Sequence, residues 1–166
     1  MLNIAILTVS DTRTINQDKS GDLLKSLITE DGHCVARRAI VKDLIPEIRC
    51  YLSEWINDPA IHVIISTGGT GISPRDVTVE AHIPLYDKHL SGFSTIFHML
   101  SYQQIGLSTI QSRVCAGIAA NTCLFALPGS PSACRDGWCK IIKHQLDDKY
   151  KPCNFVDIMF PKVSDN

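Results

Sequence analysis

The sequence predicts an α/β fold, a mostly parallel central sheet with crossover helices, and three observations carry that prediction. Short apolar runs alternate with amphipathic stretches of helical period. The connections between them are short, as crossovers between neighbouring parallel strands require. Small, hydroxyl-bearing and acidic residues recur where successive strands end, the rim at which open parallel sheets bind ligands. With 166 residues, 45% of them hydrophobic and 20% charged, the chain is one domain able to bury a core, and intrinsic disorder is excluded.

Residues 2–9 form the first strand, apolar on both faces. A helix over 21–30 follows, because Leu23, Leu24, Leu27 and Ile28 share one stripe, with Ser20 as the expected N-cap and Gly32 as the C-cap. Residues 33–41 are a second strand, less buried because of Arg37 and Arg38. Leu44, Ile48, Leu52 and Trp55 place a helix over 44–55, and residues 61–66 form a third buried strand. After Ser66 comes the turn Thr67-Gly68-Gly69-Thr70-Gly71, then a helix beginning near Pro74. Residues 90–104 are helical, 114–118 and 123–127 are short strands, and 131–146 form a last long helix with Cys134, Trp138, Ile141 and Gln145 on one stripe. Residues 1–150 are thus a single domain, and 151–166 a tail packed on it or on a neighbouring subunit.

Sixteen Lys and Arg against 17 Asp and Glu leave a net charge of −1, which argues against a broad electrostatic grip on nucleic acid. The apolar runs at 2–9 and 61–65 fall far below the ~18 residues of a membrane helix. The opening residues lack the cationic segment and length of a signal peptide. A soluble, cytoplasmic protein with no membrane contact is expected. The cysteines at 34, 50, 115, 123, 134, 139 and 153 are odd in number and show no C-x-x-C spacing, so they read as small buried hydrophobes rather than a metal or redox site.

The chemistry is expected at the strand ends. Strand one ends at Ser10-Asp11-Thr12-Arg13, strand two at Lys42-Asp43, strand three at the glycine turn, and a later strand at Pro128-Gly129-Ser130-Pro131. Glycines at 68, 69 and 71 leave backbone N–H groups free to wrap an anion, and Thr67 and Thr70 add hydroxyls; a tight strand-to-helix turn is the simpler alternative. Ser73 and Asp76 have the spacing of a capping box with Pro74 at the first helical position, while Arg75, disfavoured by a helix dipole there, makes more sense facing a bound phosphate. Asp43 either caps the following helix or joins Asp76 in holding Mg²⁺; Asp11 is a third acid or organises its own turn. No Gly-x-Ser-x-Gly elbow or His-Glu-x-x-His occurs, and the six histidines lack ligand spacing. Anion cradles and acids without a nucleophile point to phosphoryl or nucleotidyl transfer. A phospho-receiver domain needs an Asp ending the third strand, where this chain has Ser66-Thr67-Gly68. A plain assembly module would use an apolar surface on the 90–104 helix.

These residues resemble a known family. Ser10-Asp11-Thr12-Arg13 with Asp18-Lys19-Ser20-Gly21, the Thr67–Gly71 turn, Ser73-Pro74-Arg75-Asp76-Val77-Thr78 and Leu127-Pro128-Gly129-Ser130-Pro131 look like the MoaB/Mog family of molybdenum cofactor biosynthesis. Met99-Leu100-Ser101-Tyr102, Ile105-Gly106, Gln111-Ser112-Arg113 and Pro152-Cys153-Asn154-Phe155 look like its MoaB branch. The resemblance implies a three-layer α/β/α molybdopterin-binding domain that adenylylates molybdopterin with ATP and Mg²⁺, releasing pyrophosphate. It implies Asp43 and Asp76 as the catalytic, metal-holding acids. The glycine turn, Ser112-Arg113 and residues 128–131 would line the pterin and nucleotide sites, with Arg75 or Arg113 screening a phosphate. It implies a homotrimer or hexamer, and contact with other molybdenum cofactor biosynthesis proteins. A non-catalytic molybdopterin carrier of the same fold is the alternative. The chain departs from the family at Gly92-Phe93-Ser94-Thr95 and His98, where Gly-Phe-Gly-Glu and a nearby Arg are usual.

Overall fold

The computed structural model describes residues 1–160. Its elements in order are β1 (Asn3–Val9), α1 (Lys19–Glu30), β2 (Cys34–Val41), α2 (Ile45–Ile56), β3 (Val63–Thr67), α3 (Thr78–His82), β4 (Lys88–His89), α4 (Ser91–Ile105), β5 (Cys115–Ala119), β6 (Thr122–Leu127), α5 (Pro131–Gly137), α6 (Lys143–Gln145) and α7 (Phe155–Met159). The six strands lie in the order β2-β1-β3-β6-β5-β4. β1 pairs in parallel with β2 and β3, and β3 with β6, while β5 runs antiparallel to both β6 and β4.

The period-2 alternation of the central strands builds two cores, one on each face. Ile4, Ile6, Val63, Ile65, Cys123, Phe125 and Leu127 face α1, α4 and α5. Ala5, Leu7, Val9, Ile64 and Leu124 face α2 and α3. A strand buried on both faces reads as an unbroken apolar run, which is why residues 2–9 and 61–66 were legible. The result is the expected three-layer α/β/α sandwich with a mostly parallel sheet.

Several local expectations are corrected. α1 starts two residues earlier, and its N-cap is Asp18, whose carboxylate accepts the Gly21 N–H at 2.9 Å; Ser20 turns away to Gly129. Gly32 does follow the helix in the left-handed region, φ 81°. No helix begins at Pro74: residues 73–76 close a turn, and α3 starts at Thr78. The last helix is interrupted by a π segment at Trp138–Ile142. Only Cys123 and Cys134 are buried among seven free cysteines; Cys34, Cys50 and Cys153 are exposed. Within the 151–166 tail, α7 is capped by Asn154, and Phe155, Val156, Met159 and Phe160 pack on the α1/α5 side; residues 161–166 lie outside the described residues. Among the described residues no helix is long and apolar enough to cross a membrane.

Candidate functional site

The carboxyl ends of β1, β2, β3 and β6 meet around a cleft of about 410 Å³. It is lined by Val9, Ser10, Thr12, Arg13, Asp43, the Gly68–Gly71 turn, Asp76, Ser112, Pro128 and Gly129. Thus Ser10, Asp43, Gly68, Gly69, Thr70, Gly71, Asp76, Ser112, Pro128 and Gly129 are brought together as expected. Asp11, Thr67, Ser73, Arg75, Arg113 and Ser130 lie outside its lining.

The glycine turn is shaped by close approach. Gly68 and Gly69 have φ of 98° and 64°. A Cβ on Gly68 would lie 2.3 Å from the Val9 carbonyl oxygen, and one on Gly69 would lie 2.4 Å from Thr78 Oγ1 and 2.9 Å from Asp43 Oδ1. Only glycine meets both demands. Among the described residues, no protein acceptor takes the N–H of Gly69, Thr70 or Gly71, so these donors are available to an anion. The Gly68 N–H is spent on the Leu127 carbonyl, and Thr78 Oγ1 donates to the Gly68 carbonyl at 2.7 Å. Thr67 is buried, donating to the Pro128 carbonyl at 2.9 Å, so it ties two rim loops together instead of facing the cleft.

Asp43 does not cap α2, whose N-cap is Leu44 without a side-chain bond. Its backbone N–H is held by Asp11 Oδ1 at 3.1 Å, leaving the carboxylate to the cleft. Burial and the negative charge of Asp76 push the Asp43 carboxyl above the usual range. Asp76 accepts the Ser73 N–H at 2.9 Å, the sequence-predicted box realised as a turn. Arg75 is exposed and pairs with Asp11, away from the cleft lining. Ser130 caps α5 by accepting the Ala133 N–H.

Two carboxylates of like charge, one of them partly desolvated, are a donor set that a hard cation relieves. Mg²⁺ takes one or two carboxylates and completes its shell with phosphate oxygens and water, so Asp43 and Asp76 fit it. Among the described residues, no group of three or more His, Cys, Asp or Glu is arranged for a metal.

Three contributions were missed. Arg13, the cation in the cleft wall, donates from both terminal nitrogens to the Gly129 carbonyl at 3.2 Å, joined by Ser20 Oγ at 2.7 Å. Buried Asp18 accepts from Thr8 Oγ1 at 2.7 Å and from Arg38 at 2.8 Å, fixing the start of α1. Burial alone would raise its pKa, but Arg38, the Gly21 N–H and Thr8 hold it below the usual range. His82 is wholly buried, with Nε2 at 2.8 Å from Ser66 Oγ and Nδ1 at 3.0 Å from the Tyr86 hydroxyl; burial drives its pKa down to about 3, so it is a neutral tether of α3 to β3. Apart from the local contacts of His82 with Tyr86 and of Asp18 with Gly21, these contacts span 10 to 116 residues, beyond any local spacing rule, although Arg13 and Asp18 sit inside motifs the sequence displays.

Known proteins share this fold. Residues 5–148 match the MoCF_biosynth family, described as a probable molybdopterin binding domain. The chain is 47% identical over 152 residues to molybdenum cofactor biosynthesis protein B of Escherichia coli K12, covering 92% of this chain and 89% of that one. It is 43% identical over 142 residues to the protein of that name from Bacillus subtilis, covering 85% and 84%. A crystal structure of a molybdenum cofactor biosynthesis protein B superposes with TM-score 0.85 at 40% identity, covering 87% of this chain and 91% of that one. The tungsten cofactor synthesizing protein MoaB of Pyrococcus furiosus gives 0.78 at 36%, covering 87% and 92%. With a molybdopterin-binding-domain match over most of its length and relatives of this closeness, the chain belongs to the MoaB/Mog family, on the MoaB side.

Proposed function

We propose that the chain works in molybdenum cofactor biosynthesis, binding molybdopterin and adenylylating its terminal phosphate with Mg²⁺ and ATP, with release of pyrophosphate. The observation that carries this reading is the pairing of Asp43 and Asp76 across a turn whose N–H groups at Gly69, Thr70 and Gly71 are unspent. Nucleotidyl transfer between two anions needs positive charge and fixed donors where negative charge accumulates.

The attacking pterin phosphate is ionised at neutral pH, so no general base is required, and no histidine lines the cleft. Bringing it to the α-phosphate of ATP opposes like charges, and the opposition grows in a partly dry cleft. The amides of the glycine turn hold one phosphate, and Arg13 presents its remaining N–H groups to the same space. Asp43 and Asp76 would hold the Mg²⁺, which when bound offsets phosphate charge and stabilises the leaving pyrophosphate. Ser10, Thr12 and Ser112 supply hydroxyls for the sugar or pterin.

A further groove, bounded by Phe97, Gln104, Ile105 and Asp136, shares Ser112 and Pro128 with the cleft and extends the space available to a substrate. Met99, Tyr102, Ile105, Leu107 and Ile110 leave an exposed apolar face on α4 and the turn after it. That face would be covered in a homotrimer or hexamer, a state sedimentation reads directly.

Incubation with molybdopterin, Mg²⁺ and ATP labelled at the α-phosphate tests the reaction. The label moves to the pterin, with one pyrophosphate formed per transfer. Tight molybdopterin binding with no label transfer would make the chain a carrier.

A further inference from the structure

The side chain of Arg113 lies beside the cleft, yet its hydrogen bonds run to the protein. Nε donates to the Gly71 carbonyl at 2.6 Å, and one terminal nitrogen to the Asp76 carbonyl at 2.8 Å. The other terminal nitrogen pairs with Glu80. The Arg113 backbone N–H reaches the Thr70 carbonyl at 2.8 Å. Arg113 therefore closes on both ends of residues 70–76, the stretch that carries the free amides at one end and the Asp76 carboxylate at the other. Glu80 stands on α3, and its carboxyl is held below the usual range first by the Arg113 hydrogen bond. The neighbouring Ser112 carbonyl is within 2.8 Å of His98 Nε2, so the strap is anchored to α4 as well.

We propose that Arg113 is a positioning residue: braced by Glu80, its planar fork holds the 70–76 segment so that the turn's amides and Asp76 face the cleft together. It does not bind substrate phosphate. A guanidinium offers five N–H donors in a fixed fork, which lets one side chain fix two carbonyls and a carboxylate at once; a lysine ammonium cannot match that plane. The inference deepens the adenylylation reading and rests on it for its catalytic consequence, but the clamp has readouts of its own.

The test uses Glu80→Gln, which leaves Arg113 in place, and Arg113→Lys, which keeps its charge. In both variants, exchange of the hydrogen-bonded amides at positions 73, 75, 76 and 113 with deuterium rises about tenfold relative to the wild type, while exchange in β1 and β3 is unchanged. Affinity for Mn²⁺, a probe of the Asp43/Asp76 pair, falls several-fold in both. In the reaction, kcat falls with KM for ATP little altered. If Arg113 were a phosphate ligand, Glu80→Gln would release its charge, tighten pyrophosphate binding and leave the amides at 73, 75 and 76 protected, and that result overturns the proposal. Since Glu80 is partly exposed, Glu80→Gln keeps the test open if Arg113→Lys folds poorly. A wild type that makes no pyrophosphate removes the adenylylation reading, yet the exchange result still decides the clamp.

Discussion

The two ends of the central sheet make opposite use of their polar residues. The amino ends hold the larger cavity, about 690 Å³, lined in part by His33, His62, His144, Asp31, Asp147 and Lys143. The carboxyl ends hold the smaller, more open cleft of about 410 Å³. By size alone the chemistry would be placed at the amino end, opposite the cleft proposed above. At the amino end the polar groups are committed to structure: His33 Nδ1 accepts the Leu2 N–H at 3.2 Å, His62 Nδ1 accepts the Asn3 N–H at 2.9 Å, and Asp31 accepts from Trp138 Nε1 at 2.7 Å. The two histidines close the amide donors at the start of the central strand. At the carboxyl end, among the described residues, the Asp43 carboxylate has no partner beyond its own backbone, Asp76 accepts only the Ser73 N–H, and three amides are unspent. Uncommitted polar groups, held by a braced backbone, mark a site better than volume does.

Four outcomes would sharpen or break this contrast. Asp76→Asn keeps an oxygen to accept the Ser73 N–H but loses a charge. Adenylylation should fall by about 10²-fold or more, with molybdopterin binding retained, as read by product formation beside a binding titration. Gly68→Ala forces a Cβ against the Val9 carbonyl at a φ of 98°. A loss of about 2 kcal/mol is expected in urea unfolding, larger than alanine costs at the unstrained Gly92, where nothing lies within reach. His62→Ala at the other end leaves the Asn3 N–H without its acceptor, for about 1 kcal/mol of stability and no change in adenylylation.

The smallest effect is in pH. Burial and the N-terminal amine lower the pKa of both His33 and His62, and for His33 they outweigh Asp31 and Asp147. A depressed pKa contributes stability that is complete above the unfolded value near 6.5 and is lost as pH falls through the folded value. Stability should therefore decline in mild acid, and His62→Ala should flatten that decline, as denaturant midpoints from pH 7 to pH 5 would report.

Much of the fold was legible because its signals are local. The runs at 2–9 and 61–66 are buried on both faces, so neither needed a partner to be recognised. β4 was not foreseen: two residues carry no period, and Lys88 and His89 become a strand only because β5 offers an edge. The Ser73–Asp76 spacing reads as a helix start because the Asp76 carboxylate accepts the Ser73 N–H as a capping box would. The other half differs, since Ser73 Oγ takes the Arg75 N–H and the Asp76 N–H goes to the Ser73 carbonyl, closing a turn before α3 begins at Thr78. At the site, the acids and glycines stood out by residue type and position at strand ends. The bracing by Arg13 on Gly129 and Arg113 on Gly71 spans 116 and 42 residues and exists only once the sheet brings four loops to one rim.

Amide protection on adding molybdopterin together with Mg²⁺ and ATP tests the central contrast most directly. Slowed exchange is predicted at residues 9–13, 68–76, 112–113 and 128–130, with no change around His33, His62 and residues 143–149. Protection confined to the amino-end cavity, with the glycine turn exchanging as before, would contradict the account.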